Sequence, residues 1–216
     1  MSRFNGGRDF PVVCVTGPMA SGKNFVSSIL EKKGWACVDA DKIVHVVLQK
    51  LQGQIIELHS ERAEQMGLSL ENSDGTLNRR AVGQIVFNNP SALKAQEELV
   101  HPMVEKMLSE FILEHPDQPV VLNATVLYKT PELMNQCDFI LFVKTPCLIR
   151  FFRAKKRDGL PAKQIFSRFH SQKNIFAKYK KSNADIYKVW NLGFSYPLER
   201  RIERILLIWN KKEFYG

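Results

Sequence analysis

Gly17-Pro18-Met19-Ala20-Ser21-Gly22-Lys23 follows the apolar run Val12-Val13-Cys14-Val15 after the single residue Thr16, and the reading of this stretch decides the fold. A strand that ends in G-x-x-x-x-G-K and opens into a helix is a phosphate-cradling P-loop. Its glycines let backbone N–H groups curl around an anion with no Cβ in the way. Lys23 sets a point charge beside the bound phosphates, and the helix N-terminus adds its positive end. The breaker Pro11 precedes the strand, and the segment from Asn24 to Lys33 carries Phe25, Val26, Ile29 and Leu30 at helical spacing before Gly34 stops it. A glycine turn without a ligand is the plain alternative, and the strand–loop–helix context weighs against it.

One position departs from the motif. The residue after the lysine is ordinarily Ser or Thr, whose hydroxyl ligates Mg²⁺, and here it is Asn24. An amide oxygen can ligate a hard cation, but it is neutral and bulkier, while Mg²⁺ demands tight octahedral geometry. Two readings stay open: a metal held through the Asn24 oxygen or through water, or a position that has lost its metal role.

Outward from the loop, strand and helix patterns alternate. Trp35 to Val38 reads as a second strand, Pro119 to Leu122 as a third, Phe139 to Val143 as a fourth and Val189 to Leu192 as a last short one. They are short, near-continuous apolar runs, the pattern of buried parallel strands. The segment from Lys42 to about Glu114 reads as helical, interrupted by the turn Asn72-Ser73-Asp74-Gly75, and is too long for one crossover, so a substrate-covering subdomain is expected there. Leu198, Ile202, Ile205, Leu206 and Trp209 form the apolar stripe of a C-terminal helix. The expected fold is α/β, a three-layer P-loop NTPase core around a parallel sheet. One domain spans 1–216, with the core in 10–42, 117–148 and 184–212, a helical substrate-binding subdomain over about 43–116 and a basic lid over about 150–181.

Composition narrows the function classes. At 216 residues, 44% hydrophobic and 25% charged, the chain reads as an ordinary globular domain with a sizeable core. It has no apolar run of membrane-spanning length, and the stretch from Met1 to Asp9 is polar, which argues against a span or a secretory signal. Cys14, Cys37, Cys137 and Cys147 fit neither a zinc pattern nor a disulfide framework, so buried free thiols in a reducing cytoplasm are expected. The net charge of +9 sits in one place: Arg150 to Lys181 holds eleven Lys or Arg against the single acid Asp158, leaving twenty basic and twenty-one acidic residues elsewhere. Such a cluster suits a lid that closes over polyphosphate, a nucleic-acid groove, or a solvated helix face.

Parallel α/β sheets deliver functional side chains at the carboxyl ends of their strands. Asp39 and Asp41 lie past strand two. They point the same way if the chain is still extended and diverge if a helix has begun. A phosphoryl transferase needs a carboxylate to accept the acceptor hydroxyl's proton. Asp41 is the favoured base, with Asp39 capping the next helix or positioning water around a metal; the alternative is that either residue simply caps that helix.

Together these features resemble the dephospho-CoA kinase family from Val12 to about Gly193. The resemblance is carried by Thr16 to Lys23, by Asp39-Ala40-Asp41, by Asp74-Gly75-Thr76-Leu77-Asn78-Arg79-Arg80 followed by Val86-Phe87, by His101-Pro102, by Arg157-Asp158-Gly159, and by Gln172 and Ala184-Asp185. It implies ATP-dependent phosphorylation of the ribose 3′-hydroxyl of dephospho-CoA, with Mg²⁺. It further implies catalytic roles for Asp41, Lys23 and Arg157. Nucleotide contacts would come from Gly17, Ala20, Ser21, Gly22, Lys23, Asn24 and Phe25, substrate contacts from Thr16, Asp41, Arg80 and His101, and a metal contact from Asn24. Departures are Asn24 and Phe25 for the family's usual hydroxyl pair, the exit Asn123-Ala124-Thr125-Val126-Leu127 after strand three, and one extra residue around Arg153 to Lys156. The expected partners are ATP and dephospho-CoA, without membrane or nucleic acid, in a cytoplasmic monomer or weak homo-oligomer. The rivals are another P-loop nucleoside or nucleotide kinase and a catalytically impaired nucleotide-binding module.

Overall fold

The structure, a computed structural model, describes residues 8–87, 89–182 and 184–215. The first seven residues of the polar N-terminal stretch therefore lie outside the described residues. Five strands, β1 (Val12–Thr16), β2 (Ala36–Asp39), β3 (Val120–Asn123), β4 (Phe139–Lys144) and β5 (Asp185–Trp190), form one parallel sheet in the order β2-β3-β1-β4-β5. Every residue of β1 and β3 is buried, as expected of strands covered on both faces.

Parallel neighbours require crossovers, and α1 (Lys23–Glu31) supplies the first one. On that face of the sheet Val13, Val15, Val121, Phe139, Leu141, Val143 and Val189 pack with Val26, Ile29 and Leu30 of α1. Leu198, Ile202 and Trp209 of α10 (Ser195–Tyr215) complete this core, with Ile205 and Leu206 half-buried against it. The Phe139 and Trp209 rings lie 4.6 Å apart. The short α6 (Pro131–Asn135) precedes β4, and three helices follow that strand and cover the basic stretch: α7 (Cys147–Asp158), α8 (Ala162–Ser171) and α9 (Ile175–Tyr179). Gly159 ends α7 in the left-handed conformation at φ 63°, so the basic stretch breaks at Asp158-Gly159-Leu160-Pro161 before α8 begins.

Residues Ala40–Glu110 pack mainly among themselves as a second compact unit. It holds α2 (Ala40–Lys50), α3 (Gln52–Gln65), α4 (Arg79–Phe87) and most of α5 (Pro90–Leu113). Val47, Ile55, Leu77, Val82, Ile85 and Leu108 are among its buried side chains. The turn between α3 and α4 closes on an isolated bridge from Glu71 to Leu77. Asp74 accepts from the Thr76 amide at 3.0 Å and its hydroxyl at 2.6 Å, bonds that pull its carboxyl below the usual carboxylate range.

Four expectations are corrected. The last strand is Asp185–Trp190 rather than Val189–Leu192: it is an edge strand paired only with β4, so its outer positions stay polar and its apolar signal is diluted. Strands two and three, expected at Trp35–Val38 and Pro119–Leu122, each lie one residue later, at Ala36–Asp39 and Val120–Asn123. Phe25 faces solvent at 40% exposure, although its helical neighbours Val26, Ile29 and Leu30 are buried. Cys147 is exposed at the start of α7, whereas Cys14 and Cys137 are buried and Cys37 half-buried. Burial pushes the Cys14 and Cys37 thiols up to about 12. Among the described residues, no helix is long and apolar enough to cross a membrane.

Candidate active site

The loop between β1 and α1 owes its path to three unusual backbone positions. Gly17 (φ 153°) passes under β4, and a Cβ there would lie 2.5 Å from the Val143 carbonyl oxygen. Gly22 (φ 89°) lies against Asn191, whose Nδ2 would be 2.1 Å from an added Cβ. Ala20 is the one non-glycine residue with positive φ among the described residues, at 60°, and a side chain in that region costs about 1–2 kcal/mol. Such strain persists only where the surroundings over-determine it. Here Met19 and Ala20 pack on Ala154, Ile165 and Phe169 from α7 and α8, with Phe151 and Leu160 beside them.

Hydrogen bonds from the basic helices and from the strand ends reinforce that packing. The Met19 amide donates to Gln172 Oε1 at 2.6 Å, and the Met19 carbonyl accepts from Arg150 Nε at 2.8 Å. The Arg150 guanidinium also stacks 4.1 Å over the Phe169 ring. Burial pulls Arg150 and Arg153 below the ordinary guanidinium value. The Ser21 amide closes the loop on the Pro18 carbonyl at 3.1 Å, and the Ser21 carbonyl is held from the far side by Thr145, Asn191 and Arg153. The Met19 and Ser21 carbonyls are thus both engaged from outside the loop, and the loop leads into the first turn of α1, whose opening N–H groups have no partner within the helix and suit an anion.

At the mouth of α1, Asn24 Oδ1 accepts from Asn123 Nδ2 at 2.9 Å. Asn123 is 4% exposed, and among the described residues its own Oδ1 has no hydrogen-bond partner. The two departures noted in the sequence, at the loop and at the exit of strand three, therefore meet in one amide pair. The orphaned Asn123 oxygen is a hard, neutral donor, and it suits a Mg²⁺ ion that keeps several of its own waters. Asp39, the register partner of Asn123, puts a carboxylate on the adjacent strand end.

The structure brings together Thr16, Gly17, Ala20, Ser21, Gly22, Lys23, Asn24 and Phe25 on β1, the loop and the first turn of α1. Arg157, also in this unit, is turned onto its neighbour: Nε and Nη2 fork onto the Asp158 carboxylate at 2.7 and 3.0 Å. That pairing lowers Asp158 and raises Arg157. Asp41, Arg80 and His101 belong to the second unit. Asp41 lies in the first turn of α2, directly after β2 ends, so it and Asp39 diverge. Within this unit a cavity of about 710 Å³ is lined by Val44, His45, Leu48, Asn72, Arg79 and Arg80, among others.

Sequence reasoning missed Thr145, Arg150, Arg153 and Asn191. The signal was available for two of them, because Thr145 and Asn191 follow the carboxyl ends of β4 and β5, where such sheets place functional groups. The arginines were visible only as part of a charge count.

A parallel sheet with a glycine-turned anion cradle after its first central strand, clasped by cationic helices, defines a P-loop phosphotransferase core. The dephospho-CoA kinase family model matches residues 11–189. Dephospho-CoA kinase from Treponema denticola is 37% identical over 88% of this chain and 86% of its own length; that of Treponema pallidum is 36% identical over 92% and 96%. A crystal structure from Thermus thermophilus superposes with a TM-score of 0.75 at 26% identity, covering 92% of this chain and 97% of that one. The chain belongs to the dephospho-CoA kinase family.

Proposed function

We propose that this enzyme transfers the γ-phosphoryl group of ATP to the ribose 3′-hydroxyl of dephospho-CoA, giving coenzyme A and ADP. The observation that carries this reading is the glycine-turned loop from Gly17 to Asn24 at the start of α1, held by Arg150, Gln172 and Asn191, in a chain of this family. Loop amides and Lys23 hold the donor's phosphates, with Ala20, Ser21 and Phe25 shaping the mouth of the cradle. Asp41 accepts the proton of the attacking hydroxyl as the new P–O bond forms and the bond to ADP breaks. Thr16, Arg80 and His101 contact the acceptor. The cavity with Arg79 and Arg80 beside Val44 and Leu48 offers cations for a diphosphate and apolar wall for a pantetheine arm.

Arg157 exchanges Asp158 for the transferring phosphoryl group when the lid closes, presenting a planar fork to its equatorial oxygens. Residues 43–116 form the acceptor subdomain and 150–181 the lid. Asn24, with Asn123, would hold Mg²⁺ directly or through its waters, and the ion would supply positive charge against that developing on the phosphoryl group. All four cysteines are free thiols, which supports a reducing, cytoplasmic location. We place the protein there as a monomer or weak homo-oligomer, without nucleic acid.

The test is ADP release by the purified enzyme with dephospho-CoA, adenosine, AMP or CMP as acceptor. Turnover on dephospho-CoA alone is the expected result. Preference for another acceptor would make it a different nucleotide kinase, and ATP binding without transfer to any of them would make it an impaired binding module.

A further inference from the structure

The Ser21 carbonyl oxygen points into a buried corner between the ends of β4 and β5. It meets Thr145 Oγ1 at 2.9 Å, Asn191 Nδ2 at 3.0 Å and Arg153 Nη1 at 3.4 Å. Asn191 is itself fixed on every side. Its Oδ1 accepts from the Gly193 amide at 3.1 Å and Arg153 Nη2 at 3.3 Å, and its backbone N–H donates to the Lys144 carbonyl at 2.8 Å. The Thr145 hydroxyl is shared with the Asn191 carbonyl at 3.0 Å. Ser21 is fully buried and Asn191 is 2% exposed, so water does not compete for these groups.

A trans peptide is planar, with its C=O and N–H pointing opposite ways. Holding the Ser21 oxygen in this corner therefore aims the Gly22 N–H the other way, out of the corner. Gly22 must be glycine because Asn191 fills the space a Cβ would need. Glycine, however, tolerates both signs of φ, so the residue that makes this turn possible gives its peptide no preference of its own. A flipped peptide would present a carbonyl dipole to the anion in place of a donor.

We propose that Asn191, Thr145 and Arg153 are positioning residues that lock the Ser21–Gly22 peptide so that the Gly22 amide faces a phosphate oxyanion of the nucleotide. Asn191 is the keystone, since it both donates to the Ser21 carbonyl and orients Arg153 toward it. The lock ties the ends of β4 and β5 and the α7 helix to the donor site, so a change in α7 reaches the phosphate contact through one peptide group. This inference rests on the reading of the loop as the ATP phosphate cradle.

The experiment uses the full chain with tripolyphosphate and ATP as probes. Calorimetry gives their affinities and that of dephospho-CoA, while ¹⁵N NMR follows the Gly22 amide. In the wild type, the Gly22 resonance moves downfield as tripolyphosphate is added; an unmoved resonance overturns the proposal without any variant. Thr145→Val keeps the shape and removes the donor, and Asn191→Asp replaces a donor with a charged acceptor. Both should weaken tripolyphosphate and ATP binding about ten- to hundredfold and abolish the Gly22 shift. Thr145→Ser, which keeps the hydroxyl, should restore both.

Unaltered tripolyphosphate affinity in Thr145→Val and Asn191→Asp would sink the lock. So would a loss matched by equal losses in dephospho-CoA affinity and melting temperature, because that marks a role in the scaffold alone. These outcomes remain readable if dephospho-CoA proves not to be the acceptor, since tripolyphosphate reports on the donor site by itself.

Discussion

Asn24 carries the chemistry that sets this loop apart. Its Oδ1 is engaged by Asn123 at 2.9 Å, so a metal drawing on that oxygen must compete with an amide donor already in place. Asn24→Ser restores a hydroxyl and frees Asn123. The Mg²⁺ concentration for half-maximal turnover at fixed ATP should fall several-fold, as read by a metal titration. An unchanged midpoint would show that neither residue reaches the ion. Asp41→Asn should lower kcat by about 10²–10⁴-fold, the usual contribution of a general base, and leave the affinity for ATP intact. Arg157→Ala should cost on the order of 10³-fold in kcat by the scale of arginine fingers. The Arg157–Asp158 pair adds an acid-side effect. Asp158 sits below its unfolded value, so its contribution is present above the ordinary carboxylate range and is lost as pH falls through the lowered folded value. Protonation there releases Arg157 from its fork.

Individual elements differ in how plainly their residues announce them. β1 and β4 are continuous apolar runs flanked by a proline or a loop, and their extents could be read from sequence almost residue for residue. β5 could not: it sits at the sheet edge, where Asp185, Tyr187 and Lys188 break the apolar pattern, and its pairing with β4 is a tertiary fact. The cradle was legible in Gly17, Gly22 and Lys23 because the motif is local. Its supports, Thr145, Arg150, Arg153 and Asn191, come from segments more than a hundred residues away, and spacing does not encode such contacts. The close approach at Gly17 yields a sharp prediction. Gly17→Ala places a Cβ against the Val143 backbone oxygen, which cannot yield as a side-chain tip can. Strain of about 1–2 kcal/mol in the loop corresponds to roughly tenfold weaker ATP binding, with the urea midpoint of the sheet core little changed. In that core, Trp209→Ala should cost about 3–5 kcal/mol, measured by urea unfolding, because the indole is 2% exposed and packs on Phe139.

Over the whole molecule, charge is the best-separated property. Eleven of thirty-one basic residues fall between Arg150 and Lys181, the segment whose arginines hold the loop. If that excess serves polyphosphate, raising ionic strength from 50 to 500 mM should raise the KM for ATP several-fold through screening, while retention on RNA or DNA at physiological salt stays absent. Strong retention would reassign the cluster. The strand order β2-β3-β1-β4-β5 also dictates a sequence of events during synthesis. β1 is made first, yet both of its neighbours, β3 and β4, begin only at Val120 and Phe139. At about 5–20 residues per second, the first strand waits on the order of ten seconds before any partner leaves the ribosome. An apolar segment with unpaired edges is then on offer to chaperones, and the nucleotide cradle at its end cannot take shape until well over half the chain exists.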